Sequence, residues 1–347
     1  MKVLHLLASN KYSGAENVVC QIINMFNGEI DMAYCSPYGD IQNTLLEKGI
    51  KYFPLNSFNK TTLKSIIDQY KPDVIHAHDV RASLLASKFH KTAKIISHIH
   101  GNDKKNMGKL TLKSICYQLK IKHFCKIFWV SNSCLNDYIF KNSIIKKSEI
   151  LRNIININHL HNLANQDKNI YNFDVCFLGR LNQIKNPLRA LEIMKSLIEK
   201  NNSIKCAIIG DGNLKSVCKK FIFENNLTKN ISLFGFVKNP YKILQSSKVL
   251  LMTSVREGTP MAILEALALS VPIVSTKIDG AVELIENENM GYLFNENHEA
   301  IDYITKILIK NNKHNFQYLK NFSINYNNIE NYKNKILNAY NIQIGEL

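Results

Sequence analysis

Several features that define whole classes of protein are missing from this sequence of 347 residues. No apolar run approaches the roughly 18 residues that a membrane-spanning helix needs, so none is predicted. The apolar run at residues 3–8 is too short for the core of a secretory signal and predicts a first buried strand instead. With 46% hydrophobic residues, 14 Gly and 7 Pro, the composition is that of a globular protein and excludes wholesale disorder.

Closely paired cysteines are missing as well. The eight cysteines include no Cys-x-x-Cys pair, and most of them lie inside apolar runs. Such residues behave as small buried hydrophobic side chains in a reducing compartment. Together with the lack of a secretory signal, they predict a cytoplasmic protein, either free or on the inner face of the cytoplasmic membrane.

Acidic residues are scarce relative to basic ones. The chain has 44 Lys+Arg against 28 Asp+Glu, a net charge of +16. This excess predicts an anionic partner without identifying it, and a general drift toward lysine explains much of it. Arginine itself is rare, which draws attention to each one because Arg binds phosphate bidentately. The five arginines are Arg81, Arg152, Arg180, Arg189 and Arg256.

What the chain does contain is a repeated alternation of short apolar runs and longer amphipathic stretches. The apolar, β-branched runs predict strands covered on both faces, and stretches such as 187–200 and 260–269 predict helices. Strand and helix in alternation are typical of an α/β fold with a parallel sheet. The pattern runs twice, so we predict two doubly wound domains, 1–165 and 166–347. The second ends in helices that could pack back on the first.

The most distinctive segment, residues 256–266, reads Arg-Glu-Gly-Thr-Pro-Met-Ala-Ile-Leu-Glu-Ala. It follows a predicted strand and opens a helix, whose first turn accommodates Pro260. The free amides of that turn and the helix dipole form an anion site. Glu257 in the loop and Glu265 in the helix could take different hydroxyls of one bound sugar ligand. The alternative is an acidic loop followed by a solvated glutamate.

Three further segments place glycine or cations where a predicted strand gives way to a helix. Gly179 ends a strand and is followed by Arg180 and Lys185, two cations that could hold a diphosphate or simply lie on the surface. Gly210-Asp211-Gly212 is a weaker signal, since it also makes a good turn. Gly14 opens the first helix and would allow a phosphate or sugar to approach the backbone closely. The dinucleotide fingerprint Gly-x-Gly-x-x-Gly is absent, which counts against a nicotinamide enzyme.

Histidines occur in three His-x-His pairs. Because residues two apart share one face of a strand, metal ligation has to be considered. No acidic or cysteine cluster completes a ligand set, so no metal site is predicted. His78 and His100 both end predicted strands of the first domain, where either a proton-handling or a structural role is open. The pairs are His76/His78, His98/His100 and His159/His161.

The basic excess is concentrated in the first domain. Up to residue 165 there are 22 Lys+Arg against 11 Asp+Glu, and beyond it 22 against 17. Between Lys104 and Lys126 seven lysines alternate with apolar residues, which predicts a basic amphipathic helix. Such a helix suits the surface of an anionic membrane, although an ordinary solvated helix face is the alternative.

Taken together, these motifs resemble the glycosyltransferases of family 4, and the resemblance covers nearly the whole chain. Its most specific element is the pair of glutamates separated by seven residues, downstream of the Arg and Lys. The motifs are Ser13-Gly14-Ala15-Glu16, the run from Asp73 to His78, His100-Gly101, the run from Val130 to Ser133, Gly179-Arg180-Leu181, Lys185-Asn186, Gly210-Asp211-Gly212 and Glu257-Gly258-Thr259-Pro260 with Glu265.

The resemblance implies a GT-B fold, in which two Rossmann-like domains face a central cleft. It implies a retaining, metal-independent transfer of a sugar from a nucleotide-sugar donor to a glycan or lipid-linked acceptor, in the synthesis of surface polysaccharide, lipopolysaccharide or capsule. The implied catalytic residues are Glu257, His100, Arg180 and Lys185. Donor contacts are implied for Gly14, Arg180, Lys185, Phe236, Val237, Gly258, Thr259, Pro260, Met261, Ala262 and Glu265. His78 and His100 would lie on the acceptor side, and no metal or other cofactor is implied.

The sequence departs from the family pattern in ways that leave the sugar preference open. The first loop has Ser13-Gly14 where two glycines are common, and Thr259 stands where an aromatic residue or Ser is common. Two alternatives also stay open, a nucleotide-sugar 2-epimerase of the same architecture and a basic nucleic-acid-binding protein. The second lacks any of the usual fingerprints.

Overall fold

A computed structural model describes residues 1–12, 14–101, 105–310 and 313–341. The chain divides into two compact units. The first comprises Met1–Asn153 together with the chain from Ile329 onward, and the second comprises Ile154–Asn328.

The first unit is built on a seven-stranded parallel sheet with the order β3-β2-β1-β4-β5-β6-β7. Its central strands are buried on both faces because helices cover the sheet on each side, as their continuous apolar runs predict. The strands are β1 (Lys2–Leu6), β2 (Asp31–Pro37), β3 (Tyr52–Leu55), β4 (Val74–His78), β5 (Lys94–Ile99), β6 (Lys126–Trp129) and β7 (Ser148–Ile150). The helices are α1 (Gly14–Met25), α2 (Ile41–Glu47), α3 (Lys60–Tyr70), α4 (Asp79–Ala86), α5 (Leu112–Lys120), α6 (Asn132–Asn136) and α7 (Lys141–Ile144).

The second unit repeats the same plan with six parallel strands in the order β10-β9-β8-β11-β12-β13. Its strands are β8 (Phe173–Leu178), β9 (Cys206–Ile209), β10 (Ile231–Gly235), β11 (Ser247–Met252), β12 (Ile273–Thr276) and β13 (Gly291–Phe294). Its helices are α8 (Ile157–Gln166), α9 (Pro187–Lys200), α10 (Lys215–Glu224), α11 (Tyr241–Gln245), α12 (Met261–Ala268), α13 (Asp279–Val282), α14 (Asn297–Lys310) and α15 (Lys313–Tyr326). The predicted α/β class with two doubly wound sheets is confirmed.

The division between the units lies about a dozen residues earlier than the boundary predicted at residue 165. Helix α8, whose Asn- and His-rich sequence suggested a linker, belongs to the second unit. Leu160 and Ala164, one turn apart, are buried in that unit's core, and the Leu163 carbonyl accepts a hydrogen bond from Asn239 at 2.7 Å. A narrow apolar stripe thus anchors an otherwise polar helix.

The last described helix, α16 (Ile329–Asn341), returns to the first unit. Its Tyr340 hydroxyl lies 2.8 Å from His76 Nδ1, and Lys335 donates to the carbonyl of Ile150 at 3.2 Å. Lys333 forms an ion pair with Glu29 at 2.5 Å. These bonds explain why so polar a segment is ordered against the sheet.

The basic segment between Lys104 and Lys126 is not one continuous helix. Lys104 lies outside the described residues, and α5 begins only after Thr111, which caps it in a reciprocal box with Ser114. Lys126 starts strand β6 and is paired with Glu149 at 2.8 Å. None of the helices in the described part of the chain is long and apolar enough to cross a bilayer.

Candidate functional site

The functional residues predicted in the second unit follow the strands β8 and β11, which are neighbours in its sheet. These strands flank the point where the strand order reverses, since β8 continues toward β9 and β11 toward β12. Ligands of doubly wound folds bind at the carboxyl ends of strands at such a switch point. The loop after β8 carries Arg180 and Lys185, and the loop after β11 carries Glu257.

The two loops are tied together by the backbone and by Thr253. The Thr253 hydroxyl donates to the carbonyls of Asn186 and Lys185 at 2.8 and 3.1 Å. The amide of Val255 donates to the carbonyl of Ile184 at 2.8 Å. Because Thr253 is buried, these bonds are shielded from water and hold one loop in register with the other.

Lys185 and Glu257 form the central ion pair of this site, through Lys185 Nζ and Glu257 Oε1. The side chains are only 21% and 18% exposed, so solvent screens the pair less than a surface ion pair. The Ser254 hydroxyl donates to the same carboxylate oxygen at 3.2 Å. The aliphatic part of Lys185 lies 3.4 Å from the position of a side chain at Gly179, so the strand-end glycine makes room for it.

Glu265 lies on α12, near enough to Lys185 for the charge of the lysine to act on its carboxyl. Burial raises the pKa of its carboxyl to about 7, although a hydrogen bond from Tyr241 and the charge of Lys185 act in the opposite direction. The Tyr241 hydroxyl donates to Glu265 Oε1 at 3.3 Å. Lys185 therefore sits within the field of two carboxylates, and Glu265 can change its charge near neutral pH.

The start of α12 is packed tightly against α13. A Cβ at Gly280 would lie 2.2 Å from the Gly258 carbonyl oxygen and 2.9 Å from Pro260, so only glycine fits there. Gly258, Thr259 and Pro260 are buried, and Ala262 is 7% exposed. The loop and the first turn of the helix form a preorganised backbone surface.

The remaining residues for which donor contacts were predicted differ in their exposure to solvent. Arg180 is exposed, and so is Phe236, with three quarters of its side-chain surface accessible to solvent. Val237 is partly buried against the core of the second unit, and Met261 packs on that core as well. Gly14 begins α1 in the first unit with no atom near the position of a Cβ, whereas Ser13 lies outside the described residues.

In the first unit, five histidines converge at the carboxyl ends of three adjacent strands. His5 on β1 is in register with His76 on β4, and His78 on β4 is in register with His98 on β5. His100 follows β5 directly. Four of the rings are buried and His100 is partly exposed, and burial lowers the pKa of all five. Burial thus favours the neutral form of each ring in this cluster.

Sequence reasoning identified His78 and His100 but overlooked His5, which stands alone in an apolar strand. Asp79 was also missed. Its carboxylate accepts a hydrogen bond from the His100 amide at 2.9 Å, and its charge raises the pKa of His100 against the effect of burial. In the second unit, Tyr241 and Ser254 were missed, because a lone polar residue on a helix or after a strand has no distinctive spacing. The pair His159/His161 lies on α8 of the second unit.

Two such units, each with a Rossmann strand order and polar side chains at the strand ends, are the architecture of the GT-B class. Comparison with known sequences agrees. Residues 162–325 match the family described as Glycosyl transferases group 1, and residues 6–130 match Glycosyl transferase 4-like. The chain belongs to the family-4 type of glycosyltransferases and is therefore a glycosyltransferase.

Individual relatives resemble the chain along almost its full length. A capsular polysaccharide biosynthesis glycosyltransferase, CapH of Staphylococcus aureus, is 25% identical over 95% of this chain and 94% of its own. The UDP-Gal:α-D-GlcNAc-diphosphoundecaprenol α-1,3-galactosyltransferase of Escherichia coli is 26% identical over 99% of this chain and 94% of its own. The crystal structure of Anabaena Alr3699/HepE with UDP has a TM-score of 0.81 at 17% identity, covering 97% and 99% of the two chains.

Proposed function

We propose that this glycosyltransferase moves a sugar from a nucleoside-diphosphate sugar, with UDP as the first nucleotide to test, to a glycan or lipid-linked acceptor in the synthesis of a surface polysaccharide. The observation that carries the proposal is the partly buried pair of Lys185 with Glu257 at the switch point of the second sheet. The chemistry named for the relatives, capsule assembly and transfer to a diphosphoundecaprenol-linked sugar, supports the acceptor class.

In the proposed reaction, the bond between the anomeric carbon and the diphosphate breaks, and the acceptor oxygen bonds to that carbon on the same face. Because the new bond forms on the face that the diphosphate leaves, the anomeric configuration is retained. The acceptor proton passes to the departing phosphate oxygen, and cationic side chains take the place of a metal. Lys185 and Arg180 stabilise the charge that develops on the diphosphate. The amides of residues 259–262 at the start of α12 supply further donors.

The other residues bind and orient the donor and acceptor. Glu257 accepts hydrogen bonds from hydroxyls of the transferred sugar, and Glu265 accepts them from the ribose. The exposed ring of Phe236 and the neighbouring Val237 flank the base. Gly14 lets the donor pass close to the backbone of α1, and His100 faces the transferred sugar and the acceptor. His78, expected on the acceptor side, is buried with both ring nitrogens within hydrogen-bond distance of His5 and His100, so it contacts His100 and not a substrate.

The donor site is tested by the affinity for UDP, because the diphosphate contacts do not require a known acceptor. Lys185→Ala removes a charged hydrogen-bond donor, worth about 1.5–3 kcal/mol, so the Kd measured by calorimetry should rise roughly 10- to 100-fold. Lys195→Ala is the matched control, because Lys195 also pairs with a glutamate but on the exposed face of α9. Equal affinity in the two variants would remove Lys185 from the site.

The reaction itself is tested by first screening nucleotide sugars for thermal stabilisation, since the correct donor raises Tm. The stabilising donor is then incubated with the enzyme alone and with diphosphoundecaprenol-linked sugars. We expect transfer only when an acceptor is present, and Glu257→Ala should reduce it at least 100-fold while Tm stays unchanged. Conversion of the donor without any acceptor would indicate an epimerase instead.

We also propose that the enzyme binds the surface of an anionic membrane through a group of residues that we call the α5 patch: Leu110, Leu112, Ile115 and Leu119. Leu112, Ile115 and Leu119 recur at helical spacing on one face of α5 and are 80%, 38% and 65% exposed. Lysines 109, 113, 120 and 122 flank them in the sequence. Apolar side chains flanked by cations are typical of helices that lie in a lipid interface.

The α5 patch is tested with vesicles that contain anionic phospholipid. Binding should weaken with salt, and Leu112→Ser with Leu119→Ser should reduce it more than about tenfold, because each leucine loses apolar burial. Phe223→Ser is the control, since Phe223 is 74% exposed on α10 of the second unit. No salt-sensitive binding by the unchanged protein would refute membrane association.

A further inference from the structure

Two histidines outside the strand-end cluster touch each other at the opposite end of the first sheet. His90 lies shortly before β5 and His123 shortly before β6, so both are at the amino ends of neighbouring parallel strands. Their ring centres are 3.7 Å apart, and the ring planes are tilted by 32°. Both side chains are partly exposed. We call these two residues the histidine pair.

The histidine pair adjoins the α5 patch. His123 ends the 3-10 turn Ile121–His123, which directly follows α5, and the chain stays helical across the junction because Ile121 has φ −56° and ψ −34°. About one turn of helix therefore separates His123 from Leu119, the last residue of the patch and 65% exposed. The pair thus lies at the edge of the surface for which membrane contact is proposed above.

The groups whose charge acts most on His123 are all basic in the described part of the chain. They are His90, Lys122, Lys120 and Lys147. Lys147 comes from the segment before β7, and its Nζ donates to the carbonyl of Phe124 at 2.9 Å, which holds it beside the pair. Burial, the second histidine and these lysines together lower the pKa of His123.

Acidic residues are scarce around the histidine pair. Between residues 80 and 136 the sequence has eleven Lys+Arg and a single acidic residue, Asp103, which lies outside the described residues. Asp79 begins α4, roughly three turns of helix before His90. Glu149 on β7 is already paired with two lysines. A positive charge added to the pair therefore gains most from an anion that comes from outside the chain.

Protonation of the pair does not require an existing hydrogen bond to break. His90 Nδ1 lies 3.0 Å from the carbonyl oxygen of Ser87, which can only accept, so Nδ1 carries the proton of the neutral ring. A second proton binds at Nε2. Two neutral rings pack well against each other at 3.7 Å, whereas two charged rings repel at that distance. Double protonation thus depends on a counter-ion.

We propose that the histidine pair couples membrane binding to pH, because an anionic lipid surface against the pair and the α5 patch supplies the counter-ion for two protonated rings. This inference rests on the membrane association proposed above. Since binding then takes up protons, linkage requires that affinity rises as pH falls. Each cation next to an anionic leaflet strengthens binding about fivefold. Phospholipid phosphates are the anions that such a surface offers.

The coupling is tested with vesicles of phosphatidylglycerol and phosphatidylcholine at pH 7.5, 6.5 and 5.5 and constant ionic strength. The phosphatidylglycerol phosphate stays ionised over this range, so the lipid charge does not change. We expect the partition coefficient to rise about 5- to 25-fold from pH 7.5 to pH 5.5. His90→Gln with His123→Gln should remove most of this rise and leave binding at pH 7.5 nearly unchanged. Vesicles of phosphatidylcholine alone should show no such rise.

The matched control is His159→Gln with His161→Gln. These two histidines lie on α8 of the second unit, one exposed and one partly exposed, so this variant loses the same number of titratable rings. It should keep the full rise in binding. Thermal unfolding of both double variants without vesicles, with an unchanged Tm, excludes misfolding as the cause of any difference. If the first double variant has a lower Tm, His123→Gln alone should give about half of its effect on the pH dependence.

Proton uptake gives a second, direct readout. Protein and anionic vesicles are mixed in weakly buffered solution at pH 6.5, and we expect uptake of roughly one to two protons per bound protein, lost in His90→Gln with His123→Gln. Salt-sensitive binding that is equal at all three pH values, or that rises equally in this variant, would overturn the coupling and leave the α5 patch intact. An absence of binding at every pH would refute membrane association and the coupling together.

Discussion

The two units share one strand order but have different side chains at the strand ends of their sheets, imidazoles in the first and charged groups in the second. The first unit presents five imidazoles on and directly after its central strands, with pKa values that burial lowers, whereas the second presents Lys185 near the carboxylates of Glu257 and Glu265. The difference comes from the residues that follow the strands, since the sheets themselves are built alike. A diphosphate requires fixed cations, while hydroxyls are recognised by neutral donors and acceptors. Under the proposed function, the donor diphosphate would bind at the second sheet and hydroxyl groups at the first.

Backbone packing differs between the two sets of strand ends, and this gives the largest expected effect on stability. A Cβ at Gly210 would lie 1.9 Å from the Gly179 carbonyl oxygen, and the φ angle of Gly210 is +143°. Gly210→Ala should therefore destabilise the second unit by about 3 kcal/mol or more, because both the contact and the backbone conformation oppose a side chain. Urea unfolding measures the loss in the free energy of unfolding, and hydrogen exchange of the β8 and β9 amides shows whether the loss is in the second unit.

Gly14→Ala is the matched control in the first unit, because a Cβ there meets nothing within 4 Å. Its stability should change by less than about 1 kcal/mol, since alanine is also the better helix former. Equal losses in the two variants would show that the close packing at Gly210 has no special importance.

Central and edge strands differ in how well the sequence predicts them. Strands β1, β4, β8 and β11 are buried on both faces, so their apolar runs and the motifs after them were predictable. The edge strands β3, β7 and β13 were not predicted, because they are short and half-exposed and lack a continuous apolar run. Pairing with the sheet, and not local pattern, makes them strands.

The candidate site shows the same limit. Glu257, Lys185 and His100 have recognisable positions after strands, and the structure brings Glu257 together with Lys185. His5 and Tyr241 reach their partners only through the fold. His5 joins His78 across 73 residues, and Tyr241 joins Glu265 across 24. Contacts of this kind depend on strand register and helix packing, which no local spacing encodes.

The second unit contains a carboxylate with a raised pKa, and this predicts an intermediate effect that depends on pH. The pKa of Glu265 is raised to about 7. Below the ordinary glutamate pKa, near 4.3, the carboxyl is protonated in both folded and unfolded chains and costs nothing. As pH rises from about 4.3 toward 7, the carboxyl ionises in the unfolded chain but not in the folded one, so the folded state loses stability, and above pH 7 this loss stays constant. Glu265→Gln should therefore stabilise the protein by about 2–3 kcal/mol at pH 8 and by almost nothing at pH 4.5.

Thermal unfolding of Glu265→Gln at pH 8, 6 and 4.5 tests this prediction, with UDP binding measured in parallel. Glu199→Gln serves as the control, because Glu199 is 61% exposed on the same unit and should show no such trend. UDP should bind the Glu265 variant more weakly at pH 8, since the amide cannot accept two ribose hydroxyls as the carboxylate can. A stabilisation independent of pH would show that the pKa of Glu265 is not raised in the folded protein.

The first unit depends on hydrogen bonds between neutral groups, so its expected effect is the smallest. Tyr340→Phe removes the hydroxyl that meets His76 Nδ1 at 2.8 Å and leaves a buried ring nitrogen without a partner. The loss should be about 1–2 kcal/mol, and hydrogen exchange should increase in β4 and α16 while β8 stays protected. Tyr303→Phe is the control, because the Tyr303 ring stacks on Tyr292 and keeps this contact without its hydroxyl. Equal exchange in β4 and β8 of Tyr340→Phe would mean that the terminal helix does not stabilise the first unit separately from the second.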